Sequence, residues 1–176
     1  SAFVGTSEGD TYLAGLNAGN ATLTAGDVLD GQGGTDTLNA AVIGNVSGFR
    51  ADNIEVFNIN NQQTAATVDV GDSKGFTAIW SDDSNQDLTV TGIGDQATLG
   101  FRSTDNDITA TFDNAVLTDG KVSVALMNSG KASSTANASN NNSDGAVDLS
   151  VSTPGSTITE SVLMVGGTST SYLDAA

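Results

Sequence analysis

From residue 54 onward, apolar and polar positions alternate in short segments that recur at intervals near ten residues. They cover residues 54–59, 76–80, 88–93, 97–101, 108–112, 122–126 and 147–151, and a last apolar segment spans 158–165. Within Asp-Leu-Thr-Val-Thr (87–91) and Asp-Ile-Thr-Ala-Thr-Phe (107–112) the period is two. At that spacing successive side chains point to opposite faces of a strand. Clusters of Asp, Asn, Ser and Gly separate the segments, as in Ser-Asp-Asp-Ser-Asn-Gln-Asp (81–87). They predict turns, because these short polar side chains bond to the neighbouring backbone. The chain is therefore expected to be all-β. A β-solenoid-like stack of short strands is the preferred architecture, and a two-sheet β-sandwich is the alternative. Uneven intervals count against a strictly repeating coil. Trp80 closes its segment and is expected in the core.

Helix signals are few. Residues 12–25 contain Gly15 and Gly19, each costing a helix about 1 kcal/mol, so at most a turn is expected there. Residues 129–146 are polar and of low complexity and read as an exposed loop between strands. The thirty residues after that loop are too few to fold alone. The chain thus reads as one domain, 1–176. It comprises a glycine- and aspartate-rich turn region over 1–39, a strand array over 40–128, the loop, and terminal strands over 147–176.

Charge changes this picture most. Twenty-one acids against five bases leave a formal charge of −16 and a pI near 4.1. Eighteen of the acids are Asp and only three are Glu. A coat serving solubility alone would use both. The short Asp side chain suits a tight turn, or a cation shared with backbone carbonyls. No basic patch exists to meet nucleic acid. No apolar run approaches the ~20 residues that span a bilayer, so no membrane insertion is expected. The chain has no Cys and no His. Disulfides cannot staple it, whereas divalent cations can, by binding the native state selectively. The opening Ser-Ala-Phe-Val-Gly lacks the basic and apolar regions of a signal peptide. A removed signal, another export route and a longer parent chain all remain open.

The stretch that carries chemistry is Thr24-Ala-Gly-Asp27-Val-Leu29-Asp30-Gly31-Gln-Gly33-Gly34-Thr-Asp36-Thr-Leu38-Asn39. Against the nonapeptide G-G-x-G-x-D-x-U-x, Gly31, Gly34, Asp36 and Leu38 fill the first, fourth, sixth and eighth positions. Gln32 replaces the second glycine. Nine residues earlier, Asp27 and Leu29 fill the same Asp and apolar slots. Glycine allows a sharp turn with carbonyls directed inward. Each Asp offers a carboxylate to a hard cation that takes about six to eight oxygens, and the Leu two residues on anchors the strand. Asp27, Asp36 and the carbonyls of Gly31, Gly33 and Gly34 are expected to share one Ca2+, with Asp30 a further ligand. Asp10, in Gly5-Thr-Ser-Glu8-Gly9-Asp10-Thr-Tyr12, repeats the acid-x-apolar step and is a weaker candidate. Asp83-Ser-Asn85-Gln-Asp87 starts like an EF-hand loop, but Leu88 and Gly94 stand where that loop needs Gly and Glu. It is read as a solvated turn, as are Asp105 and Asp107.

Residues 26–38 resemble the calcium-binding turns of repeats-in-toxin proteins. They are most similar to the version in large bacterial surface-layer and adhesin-like proteins, where such a unit precedes an array of short strands. Ala51-Asp-Asn-Ile-Glu55-Val-Phe-Asn-Ile59 resembles the Asn-Val/Ile-Glu strand that often follows in that group. Together the two motifs cover about 40 residues. The resemblance implies calcium-dependent folding, non-classical secretion to the extracellular space or bacterial cell surface, and self-assembly into a surface layer or matrix fibre.

Catalysis is not expected. Without His or Cys, the Ser-His-Asp and Cys-His constellations are excluded, and eighteen Asp make a chance carboxylate pair uninformative. The expected function is an extracellular structural protein whose calcium orders the fold and bridges acidic copies of the same chain. The alternative is a calcium-dependent adhesin or a carbohydrate- or ice-binding module, with cell-surface polysaccharide as partner. Thr89/Thr91, Thr109/Thr111 and Thr168/Thr170 form Thr-x-Thr pairs, but their unequal intervals are expected to keep them from stacking. Trp80, Tyr12 and Tyr172 are few for a sugar platform.

Overall fold

The ten-residue interval is half of one coil. In the computed structural model the chain winds as a parallel β-solenoid of about six turns, and most turns lay one strand in each of two large sheets. The structure describes residues 1–104, 106–114, 116–117, 121–129, 147–152, 160–166 and 173–174. Of the loop expected over 129–146 only Ser129 falls among them, and Asp105, Thr168, Thr170 and Tyr172 lie outside.

The larger sheet holds β2 (Thr11–Ala14), β6 (Thr37–Val42), β8 (Val56–Asn61), β10 (Ala78–Asp82), β12 (Thr98–Arg102), β14 (Lys121–Met127) and β16 (Glu160–Gly166), in that spatial order. The second holds β9 (Ala66–Asp69), β11 (Leu88–Ile93), β13 (Ile108–Phe112), β15 (Val147–Ser152) and β17 (Leu173–Asp174). A three-stranded sheet of β1 (Ala2–Val4), β5 (Val28–Asp30) and β7 (Arg50–Asp52) belongs to the N-terminal coils. Pairing within all three is parallel. β3 (Leu16–Asn17) and β4 (Asn20–Ala21) form the one antiparallel hairpin among the described residues. Parallel pairing separates this fold from a sandwich of antiparallel hairpins. From β8 onward each strand pairs with the strand two further on, because its neighbour in sequence belongs to the other sheet. Residues 1–39 are accordingly more than turns, since β1, β2, β5 and the start of β6 build the first coils. Among the described residues no helix is long and apolar enough to cross a membrane.

The uneven intervals do not break the coil. Leu38, Phe57, Ile79, Leu99 and Val124 lie in register on successive strands although neighbours are 19 to 25 residues apart. Only the strands must match; the corners absorb the difference. Ala40, Ile59, Ser81, Phe101 and Leu126 form a second buried column. Val68, Val90 and Ala110 form a third in the other sheet. Side chains repeat along each column at the strand spacing of about 4.8 Å, and Phe, Leu, Ile and Val with smaller Ala and Ser fill the interior. Asp83, Ser103 and Asn128, at φ of 52°, 52° and 53°, turn the chain after three consecutive strands of the larger sheet. Asp and Asn tolerate that left-handed conformation better than most residues.

Two expectations are corrected. Trp80 is not in the core: Ile79 and Ser81 point inward, and strict alternation sends Trp80 out. Its ring occupies the place a side chain at Gly100 would take, and the Arg102 guanidinium stacks 4.4 Å from its centroid. The Thr pairs stack only in part: Thr67, Thr89 and Thr109 are in register, whereas Thr91 pairs with Asp69 and a register shift after Val90 keeps it from Thr111.

Candidate metal centre

Three acids each precede a strand of the larger sheet: Asp10 before β2, Asp36 before β6 and Glu55 before β8. Thr11 pairs with Thr37, and Thr37 with Val56, so the three acids stack on consecutive coils. Backbone donors stitch the stack. Asp10 N–H donates to Asp36 Oδ1 at 2.6 Å, and Asp36 N–H donates to Glu55 Oε2 at 2.7 Å. Asp10 Oδ2 accepts from the Thr6 amide at 2.6 Å and the Thr6 hydroxyl at 3.0 Å. Asp36 is fully buried, and its Oδ2 has no hydrogen-bond partner. Asp10 and Glu55 are half-buried.

Glycines line this stack because there is no room for anything else. Gly5 N–H donates to the Asp30 carbonyl at 2.8 Å, and Gly31 N–H to the Asp52 carbonyl at 2.9 Å, which aligns the two glycines on one corner. A β-carbon on Gly31 would collide with the Asn53 carbonyl oxygen and with Asp36 Oδ2. One on Gly5 would lie 2.6 Å from both Asp10 Oδ2 and the Tyr12 hydroxyl, and 2.9 Å from the Gly31 carbonyl oxygen. Gln32, where the nonapeptide has glycine, adopts φ 69°, the conformation that glycine would supply. Its backbone and side-chain N–H groups bond to Asp30 at 3.0 and 2.6 Å and hold it there.

The charges register on Tyr12. Its hydroxyl donates to the Asp30 carbonyl at 2.8 Å. Burial raises its pKa above 10.0, and the charges of Asp10, Asp36 and Asp30 raise it further. The neutral phenol is thus the native form; its contribution to stability is whole below pH 10.0 and is lost as pH rises through the folded-state value. Asp10→Asn is expected to lower the Tyr12 pKa. Spectrophotometric titration reads this, with Tyr12→Phe separating the signal from Tyr172. An unchanged curve would place Asp10 electrically apart from Tyr12.

The seven residues expected to bind calcium divide between separate places. Asp10, Asp36 and Gly31 come together. Asp30 lies beside them as a turn staple, its pKa lowered first by the Asn53 amide (2.8 Å) and then by the Gln32 N–H. Gly34, at φ 111°, and Gly33 carry the turn that leads to Asp36. Asp27 stands apart, before β5. It accepts from the Thr24 amide at 2.9 Å and hydroxyl at 3.0 Å and pairs with the Ser1 ammonium at 2.8 Å. The Ser1 hydrogen bond is the largest cause holding its pKa below the ordinary value. Asp27 and Asp36 have no partner in common. Nine residues is here only part of a coil, carrying the chain from the three-stranded sheet to the larger one. The neighbours of Asp36 in the stack lie a whole coil away. Glu55 was therefore missed as a site residue, though it stands directly before β8, as Asp36 and Asp10 do before β6 and β2. Among the described residues, no three acidic side chains converge closely enough to chelate an ion unaided. Any ion here draws on carbonyl oxygens as well, and those of Gly31 and Asn53 adjoin the carboxylates.

Fold and site define a parallel β-solenoid with a carboxylate stack in its N-terminal coils. No family model matches the chain, and no curated protein or solved structure shows significant similarity to it.

Proposed function

We propose that the chain is a calcium-ordered structural β-solenoid, acting outside the cell or at a bacterial cell surface and associating with its own copies, with no catalytic role. One observation carries this reading: Asp36 is fully buried with Oδ2 unpartnered, and Asp10 and Glu55 flank it on adjacent coils. A buried carboxylate without a full set of partners is costly, and a hard cation with oxygen ligands removes that cost. Asp36 and Asp10, with the carbonyls of Gly31 and Asn53, would hold the ion. Bound calcium would neutralise the stack and tie the first coils together. Association is supported at the same end of the coil. There β1 and β2 are sheet edges among the described strands, and Phe3, Val4 and Leu13 are 53%, 70% and 79% exposed. Open edges with apolar side chains are templates for another chain. The charge of −16 opposes self-association, and calcium relieves that repulsion.

Thermal unfolding and size analysis, in excess calcium and then in chelator, test the reading. Calcium at 100 times its Kd should stabilise the fold by about 2.7 kcal/mol, roughly 5–10 °C for a chain of this size. Asp36→Asn should reverse the order of stability. It should be more stable than the parent in chelator, where a buried charge is gone, and less stable in calcium. Asp83→Asn should keep the calcium response. A monomer with equal heat stability in both conditions would end this proposal.

A further inference from the structure

We infer that the outward face of β6, β8 and β10 is a binding groove for a neutral polysaccharide. The groove encloses about 530 Å³ between this face and the β3–β4 hairpin. Asn39, Asn58 and Asn60 line its floor, Leu13 and Leu16 an apolar wall, and Asp83 its far rim. Asn39 and Asn58 are register partners on adjacent strands, and Asn58 Nδ2 donates to Asn39 Oδ1 at 2.8 Å. Arg102, beneath Trp80, reaches Asn58 Oδ1 at 3.4 Å and Asp82 at 3.0 Å, so the amides are held before any ligand arrives.

What remains unspent is a mixed set. Asn39 Nδ2 has no hydrogen bond among the described residues and the exposed Asp83 carboxylate accepts nothing, whereas Asn60 is spent, its Nδ2 donating to the Asp83 carbonyl and its Oδ1 enclosed. A donor on the floor and an acceptor on the rim suit hydroxyl groups, which do both. Leu13, 79% exposed, and Leu16, 39% exposed, offer a surface for the C–H face of a sugar ring. An anionic polymer would meet only acidic and amide groups on a chain of charge −16. A cationic ligand would use the carboxylates and leave the amides idle. A peptide strand has no edge to join, because β6, β8 and β10 are interior strands with both sides of their backbone paired.

The test is titration of the folded chain with cellohexaose, chitohexaose and maltohexaose at millimolar concentration, by calorimetry and by NMR shift mapping, with polygalacturonate as the anionic comparison. At least one neutral hexamer should bind and shift the amides of Asn39, Asn58 and Asn60. Asn39→Ala and Asp83→Ala should each weaken that binding at least about tenfold, or about 1.4 kcal/mol. Thr109→Ala, on the second sheet, should leave it unchanged. Circular dichroism checks that each variant keeps its fold. No binding by any of the three, equal binding by the groove variants, or tighter binding of polygalacturonate would overturn the inference. The groove does not depend on the metal reading, so the measurement is made both in calcium and in chelator.

Discussion

Gly31→Ala is expected to cost about 3 kcal/mol, the upper end of what overpacking does, while Gly33→Ala changes stability by less than about 1 kcal/mol and with a stabilising sign. The two glycines are two positions apart, Gly31 at a glycine position of the nonapeptide and Gly33 at an unspecified one. Their surroundings differ. A β-carbon on Gly31 meets the Asn53 carbonyl, which is backbone and cannot turn away, and the Asp36 carboxylate. A β-carbon on Gly33 finds nothing closer than Ser7, at 3.9 Å. Urea unfolding of the two variants checks this through the midpoints. Gly31→Ala should also remove the calcium response, because the space it fills is the one between Asp36 Oδ2 and the Asn53 oxygen. Equal midpoints for the two variants would mean that the corner is open and the stack is not as described.

The second large effect lies in the core. Phe57→Ala is expected to cost about 3–5 kcal/mol, the transfer and cavity cost of deleting a buried ring. Phe57 is 1% exposed, sits between Leu38 and Ile79 in its column, and lies 5.4 Å from the Phe76 ring. Each coil touches mainly its neighbours, so the damage should also be local. Hydrogen exchange should rise most in β6, β8 and β10 and least in β13. Uniform loosening throughout would show that the coils unfold as one cooperative unit.

Much of the fold was legible because strands advertise themselves by alternation. The segments at 88–93 and 108–112 match β11 and β13 in full. Others are displaced by a residue or two, as in 54–59 against Val56–Asn61, because Ile54 is buried ahead of its strand. β9, with only Ala66, Thr67, Val68 and Asp69, is too short to stand out between polar neighbours. Phe76, Ala78 and Trp80 share one phase of the 76–80 segment, but two buried neighbours, Ile79 and Ser81, fix the outward direction of Trp80. Unequal intervals keep the coil from strict repetition but do not prevent register, as Thr67, Thr89 and Thr109 show. Register is set by the ladder, and sequence distance counts corner residues that the ladder ignores.

The candidate site was half legible. Asp10 and Asp36 were visible as acids before strands, and the glycines as signs of crowding or sharp turning. Their partnership was not visible, since Asp10, Asp36 and Glu55 are separated by 26 and 19 residues and meet only when one coil is laid on the next. By itself the sequence determined the all-β class, the turn positions and the acidic character, which are local properties of residue type and period. Tertiary structure decided that the strands run parallel in a coil, which acids share a stack, that Asp27 stands outside it, and that Asn39, Asn58 and Asn60 line one groove. The physical reason is common to all four. Each depends on which residue lies one coil away, and that distance is set by backbone pairing between strands whose intervening corners vary in length.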